Sequence, residues 1–204
     1  MISDLQQVFS ESAQNMKRSA IREILKLTQK PEVISFGGGL PSPESFPVED
    51  LKEIINELLD EDGPGALQYG ATEGVPELRE IMVERYRKEG FNIETDNLSI
   101  TTSSQQGLYI LGKIFLDKGD KIICGLPSYL GGISAFSTFG ADMHGIPFDK
   151  QGMRSDKLEE KLQELKDQGT PPKFIYIIPD FQNPAGITMP EERRKKIIEL
   201  ARKY

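Results

Sequence analysis

The sequence is poor in several things whose scarcity narrows what the protein can do. Among its 204 residues there is one cysteine, Cys124, and one histidine, His144. A lone thiol forms no internal disulfide, which fits a reducing, cytoplasmic setting. A lone histidine supplies no His/Cys cluster at metal-ligand spacing, so no metal site is expected. Basic side chains are outnumbered, 25 against 32, for a formal charge of −7. That balance disfavours a phosphate backbone as partner, and nucleic acid is not expected as a ligand. No run approaches the roughly 18 uninterrupted apolar residues of a membrane helix. The opening MISDLQQVFSESAQNMKRSA lacks the basic-then-apolar order of a secretory signal. The absence of tryptophan excludes nothing.

What is present is an alternation of helix-like and strand-like segments, with no internal repeat and no low-complexity run. Residues 19–28, SAIREILKLT, place Ile21, Ile24, Leu25 and Thr28 on one face and predict a first helix. PEVISFGGGLPSPESFP then breaks the pattern with glycines and prolines, an ordered loop because Val33, Ile34, Phe36 and Phe46 are interspersed. Helical spacing resumes over 47–60 through Leu51, Ile54, Ile55, Leu58 and Leu59. The loop DGPGALQYGATEG precedes a helix from about Pro76, with Leu78, Ile81, Met82 and Tyr86 on one side and Gly90 placed to end it.

From there the rhythm is regular. LSITT (98–102) predicts a strand, 104–117 a helix, KIICG (121–125) a strand, LGGISAFSTFG a weak helix and ADMHGIPF a strand. Residues 155–169 predict a charged amphipathic helix with Leu158, Leu162 and Leu165 on its stripe. KFIYII (173–178) predicts a buried strand and 189–204 a last helix, whose start carries Thr188 and Glu191 at capping-box spacing. Strands separated by helical stretches of this length imply right-handed crossovers: an α/β fold, a three-layer α/β/α arrangement around a mainly parallel sheet. In such sheets ligands bind beyond the carboxyl ends of the strands.

Three loops at predicted strand ends carry the chemistry. Thr101-Thr102-Ser103-Ser104-Gln105-Gln106-Gly107 runs straight into a helix, where outward N–H groups and the helix dipole favour a phosphate; the plainer reading is that Ser103 or Ser104 is a helix cap. Leu126-Pro127-Ser128-Tyr129 places a ring able to stack on a planar cofactor, or simply packed over the core. Pro179 to Gly186, PDFQNPAG, carries Asn183, which could donate to a ligand oxygen or close an Asx-type turn on its own backbone.

TTSSQQGL, LPSY and IIPDFQNPAGITMP, in this order, resemble the phosphate loop, ring-stacking tyrosine and asparagine loop of the fold-type-I pyridoxal-phosphate aminotransferases of class I/II. SAIREILKLT, ISFGGGLPSPESFP and LQYGATEGVPELRE are similar to the 2-aminoadipate, kynurenine and aromatic subgroup, over about residues 15–204. The resemblance implies a 1–46 segment of N-terminal arm, helix and Gly-rich substrate loop, and a 47–204 segment forming the N-terminal part of the large cofactor-binding domain.

It further implies pyridoxal 5'-phosphate as cofactor. Ser103, Ser104 and Gln105 would hold its phosphate, Tyr129 would stack on its ring, and Asn183 would hydrogen-bond its phenolic oxygen. Tyr69 would reach the neighbour's phosphate in a homodimer. Gly38 and Gly39 would close over the substrate, and Arg22 would recognise a substrate carboxylate. The reaction implied passes an amino group from an amino acid to a 2-oxo acid. Its Schiff-base lysine and the aspartate at the pyridine nitrogen have no match here, since in this family both lie beyond the helix 189–204, and these 204 residues are expected to be inactive alone. The alternative is a non-catalytic binding or regulatory protein on the same fold. Regulators of that sort carry a basic helix-turn-helix domain first, and the acidic N-terminus has none. His144 reads as structural, Cys124 as a small core residue, and Glu159-Glu160 and Glu191-Glu192 as members of helix surface pairs.

Overall fold

The computed structural model describes residues 5–15, 32–33 and 40–204. The helix expected over 19–28 lies outside them, and so do Arg22, Gly38 and Gly39. The described chain falls into two compact units. One joins the N-terminal residues to Thr102–Tyr204, and the other spans Lys17–Thr101. Among the described residues no helix is long and apolar enough to cross a membrane.

In the unit spanning 17–101, helix α2 covers Val48–Ala66 and α3 Pro76–Lys88; α1 is the short Glu11–Asn15 turn of the other unit. The apolar spacing of α2 is helical as read, but Leu51, Ile54, Ile55, Leu58 and Leu59 stand exposed rather than in a core. The DGPG stretch, expected as loop, continues the helix to Ala66, and only Asp62 leaves helical angles, with φ −149° and ψ 57°. In α3 the buried residue is Val83, while Leu78 and Ile81 are exposed. Gly90 ends that helix with φ 93°, a backbone conformation that costs a glycine little.

The strand expected at 98–102 does not form, because its backbone groups are taken by α3 and the residues just before it. The Arg79 guanidinium donates to the carbonyls of Leu98 at 2.9 Å and Thr95 at 2.6 Å. The Ile100 N–H donates to the Glu73 carbonyl at 2.8 Å. Leu98 and Ile100 are half-buried around an exposed Ser99, so the period-two pattern is real, but no ladder accompanies it.

The other unit holds the sheet. Helix α4 (Ser103–Phe115) is followed by β1 (Lys121–Leu126), α5 (Leu130–Thr138), β2 (Asp142–Asp149), β3 (Gly152–Met153), α6 (Ser155–Asp167), β4 (Ile175–Tyr176) and α7 (Glu191–Lys203). The order across the sheet is β3-β2-β1-β4. β1 lies parallel to both β2 and β4, with Ile123 opposite His144 on one side and Ile175 on the other. The two-residue β3 turns back antiparallel to β2. The sheet is therefore mostly parallel, as the alternation implied.

Side chains of β1 alternate between two cores. Ile123 joins Ile146, Leu158, Leu162, Leu165, Ile197 and Leu200, the face covered by α6 and α7. Ile122 joins Leu116, Ala135 and Phe136, the face covered by α4 and α5. Phe174 and Tyr176 follow Ile122, whereas Ile175 and Ile177 follow Ile123, so the segment around β4 feeds both faces. The three leucines of the α6 stripe are all buried, and at about 25 cal/mol per Å² of apolar area they are a principal part of what holds this unit together.

Two expectations about the last third are corrected. Phe174 to Ile178 are half-buried rather than buried and Lys173 is exposed, and only Ile175 and Tyr176 join a ladder, with β1, the one neighbour of β4 among the described residues. The capping box is not formed: Pro190 occupies the cap position of α7 without a side-chain bond, and the Thr188 hydroxyl instead accepts from the Phe181 N–H at 3.2 Å. One close approach positions the next loop. A Cβ at Gly125 in β1 would stand 2.6 Å from Cε1 of the Phe148 ring, so the strand passes that ring only as glycine.

Candidate functional site

From Thr102 onward the three chemistry-bearing loops lie in the sheet unit, and hydrogen bonds link them. The first is the start of α4. Ser103 has φ 61°, the left-handed region that non-glycine residues rarely occupy, so the chain turns sharply into the helix there. The cap position is Thr102, with no side-chain cap bond. Its own N–H donates to the Gln106 side-chain oxygen, and the Ser103 hydroxyl accepts from the Gln105 N–H at a long 3.4 Å. The serines are thus neither a strong cap nor buried. Ser103, Ser104 and Gln105 are exposed at a helix start, where the i→i−4 ladder gives the first turn's amides no backbone acceptor.

Gln105 does more than present its backbone. Its side-chain amide donates to the Gly131 carbonyl at 3.0 Å, which ties the start of α4 to the start of α5. Tyr129 immediately precedes α5 and is half-buried. A Cβ on Gly131 would stand 2.5 Å from both the Gln105 side-chain oxygen and Cε1 of Tyr129, so the missing methyl is the space in which the two meet. On the neighbouring residue, a Cβ at Gly132 would stand 2.7 Å from the Tyr176 ring. Burial and the nearby Tyr129 phenol push the Tyr176 phenol above its usual range, so it stays neutral.

The third loop follows β4 and is closed on itself. Met189 N–H donates to Pro179 O at 2.7 Å, and Gln182 N–H donates to Ile187 O at 2.9 Å. Asp180 is pinned to α7 by two bonds from Arg194, at 2.6 and 3.0 Å, and the same guanidinium reaches Met189 O at 2.7 Å. Arg194 holds the Asp180 carboxyl below the usual carboxylate range. Asp180 is therefore occupied in holding the loop. The Leu126-Pro127 bond at the end of β1 and the Asn183-Pro184 bond in the loop after β4 are both cis.

The Asx-type turn considered for Asn183 is not what closes this loop. Among the described residues the Asn183 side chain forms no hydrogen bond and is exposed, and the turn is closed by Gln182 instead. Gln182 is 4% exposed, the one buried polar residue among those described. Its side-chain oxygen accepts from Ala185 N–H at 2.8 Å. Its side-chain nitrogen donates to Asn183 O at 2.7 Å and to Pro127 O, in the Tyr129 loop, at 3.2 Å. Sequence reasoning singled out neither Gln182 nor Gly131. The only signal was the polar density of PDFQNPAG, which does not say which side chain turns inward.

The remaining expected residues stand apart. Tyr69 belongs to the other unit and is almost fully exposed, at 99%. His144 lies on β2, its Nε2 buried with no hydrogen-bond partner and 3.6 Å from an Asp142 oxygen. Among the described residues no three His, Cys, Asp or Glu side chains form a group able to hold a metal ion. Cys124 is buried, and burial pushes its thiol pKa up, which suits a core residue rather than a nucleophile.

Comparison with known proteins places these loops in a family setting. The family model for aminotransferase class I and II matches residues 31–204. The chain is 46% identical over 203 residues to aromatic-amino-acid aminotransferase 1 of Thermococcus litoralis, covering 98% of this chain and 48% of that protein. It is 40% identical over 194 residues to the 2-aminoadipate transaminase of Thermus thermophilus, with 95% and 46% covered. Among solved structures, Pyrococcus horikoshii kynurenine aminotransferase, in complex with PMP, superposes with a TM-score of 0.90 at 42% identity, over 100% of this chain and 50% of that one. The chain thus spans about half the length of the curated relatives it matches.

Proposed function

The chain belongs to the aminotransferase class I and II family, and from that premise we propose that it carries the phosphate and ring contacts of a pyridoxal-phosphate-dependent aminotransferase. The parent activity is transfer of an amino group from an amino acid to a 2-oxo acid, in a homodimeric enzyme of the cytoplasm. In this reading residues 1–46 form the arm and substrate loop, and 47–204 the first part of the cofactor-binding domain.

The residues present suit that cofactor. The exposed first turn of α4 offers backbone amides to a phosphate, where the helix dipole adds about 0.3–1 kcal/mol. Tyr129 offers a ring face beside it, and Asn183 an uncommitted amide. Bound pyridoxal phosphate supplies the electron sink for moving the amino group. Ser103, Ser104 and Gln105 would hold its phosphate, Tyr129 would stack on its ring, and Asn183 would donate to its phenolic oxygen. Tyr69 serves the neighbouring subunit's phosphate. Gly38, Gly39 and Arg22 lie outside the described residues; by the family resemblance the glycines would close over the substrate and Arg22 would recognise a side-chain carboxylate, which favours dicarboxylic or broad amino-acid donors.

The observation that carries the reading is that two side-chain amides, Gln105 on Gly131 and Gln182 on Pro127, tie the start of α4 to the loops that follow the parallel strands β1 and β4. The test is binding of pyridoxamine phosphate, which cannot condense with surface lysines, to the 204-residue chain and to Tyr129→Ala and Asn183→Ala. Each substitution should weaken binding several-fold. Unchanged affinity in both would overturn the assignment. The 204 residues alone should show no transamination, and measurable turnover by them would refute the reading equally.

A further inference from the structure

We propose that Gln182 is a positioning residue of this site, a buried brace that presents the Asn183 side chain and the Tyr129 loop to a bound cofactor as one rigid body. The inference rests on the function proposed above and adds to it a residue that itself touches no ligand. At 4% exposure, Gln182 is enclosed by protein.

Both polar atoms of the side chain are engaged. A primary amide has two N–H donors and a carbonyl acceptor. One donor goes to Asn183 O at 2.7 Å, within its own loop, and the other to Pro127 O at 3.2 Å, in the loop that carries Tyr129. The acceptor takes the Ala185 N–H at 2.8 Å, on the far side of Asn183. The Gln182 backbone is likewise engaged, its N–H with Ile187 O and its carbonyl with Gly186 N–H. Bonds therefore grip the chain on both sides of Asn183 while its own side chain stays exposed. A buried amide that lost these partners would be costly, so the amide and the loops hold one another in place. A smaller or apolar residue could fill the volume but could not fix the Pro127 carbonyl relative to Asn183.

The experiment uses the 204-residue chain, with Gln182→Met, which keeps the bulk without the amide, and Gln182→Glu, which keeps acceptors without donors. In the ligand-free protein, Gln182→Met should accelerate hydrogen exchange at the Ala185 amide at least about tenfold. The Ile123 amide, in the sheet, should not change. Pyridoxamine phosphate should bind both variants about tenfold more weakly, equivalent to about 1.4 kcal/mol. Combined with Asn183→Ala, Gln182→Met should weaken binding less than the product of the two single effects, because it acts through the same side chain. Unchanged exchange at Ala185 would overturn the brace. So would additive losses, or unchanged affinity where Asn183→Ala alone weakens binding. If Asn183→Ala and Tyr129→Ala both leave affinity unchanged, the proposed function falls instead, and the exchange measurement alone decides for or against the brace.

Discussion

Replacing Gly131 by alanine tests whether the space between Gln105 and Tyr129 is a working dimension of the site. No strain arises from the backbone, because Gly131 is not among the residues with positive φ. It is the second residue of α5, where alanine is favoured over glycine by up to about 1 kcal/mol as a helix former. Against this stands the new methyl, 2.5 Å from Tyr129 Cε1 and from the Gln105 side-chain oxygen. Carbon atoms settle at roughly 3.5–4.0 Å, so the ring edge must recede by about 1 Å. Overpacking of this kind costs about 1–3 kcal/mol, but both obstructing atoms are ends of side chains that can move. The net loss of stability should therefore be about 0–2 kcal/mol, read from urea unfolding. Ligand affinity should suffer more visibly. A displaced ring forfeits stacking worth about 0.5–1.5 kcal/mol, so the Kd for pyridoxamine phosphate, read by calorimetry, should rise by a factor of roughly 2–12. Gly132→Ala is the contrast, since its methyl would meet the half-buried Tyr176 ring at 2.7 Å and should lower stability before it lowers affinity. An unchanged Kd for Gly131→Ala would refute the claim that this glycine sets the ring.

Other outcomes follow from packing and charge. Leu165→Ala, at a fully buried position of α6, should cost about 2–5 kcal/mol in urea unfolding; a loss below about 1 kcal/mol would mean the cluster can collapse around the gap. Asp156 is held at about 2 by the Arg154 guanidinium, so its folded pKa lies below the ordinary 3.8. A depressed carboxylate contributes stability above the ordinary value and loses it as pH falls toward 2, and Asp156→Asn should flatten the stability profile in that window while lowering stability at neutral pH. Cys124 should react with iodoacetamide only on unfolding, since its thiol is buried and its pKa raised; labelling of the native protein at the rate of a free thiol would contradict the buried placement.

Much of the fold was legible because it rests on local period. Leu158, Leu162 and Leu165 lie on one helical stripe and are buried together, and KIICG reads as a strand, which the structure encloses on both faces. What was not legible depends on partners distant in sequence. LSITT has the composition of a strand, yet Arg79 and Glu73 take its backbone groups. Thr188 has the spacing of a capping box, yet its hydroxyl faces Phe181 across the loop. Spacing marks α2 as amphipathic without saying what its apolar side meets. In the site, the loop order and the residue types point to phosphate and ring contacts, but the inward-turned Gln182 also bonds the Pro127 carbonyl, 55 residues away, which no local pattern announces.

The passage of β1 beneath the Phe148 ring bears on alignment along the strand. Ile122 and Ile123 sit in opposite cores but are chemically the same, so after a slip of one residue between β1 and β2 one of the two sites would again hold an isoleucine, while the other received Lys121 or Cys124. Gly125 removes that degeneracy. After a slip in either direction, Cys124 or Leu126 would push its side chain into the ring that only glycine clears, while Lys121 would leave its partner Asp142. A slipped strand would also carry Pro127 and Tyr129 along by about 3.3 Å, beyond reach of the Gln182 and Gln105 amides. One glycine thus acts as the index mark that keeps a symmetric-looking strand in the single alignment where the loops can meet.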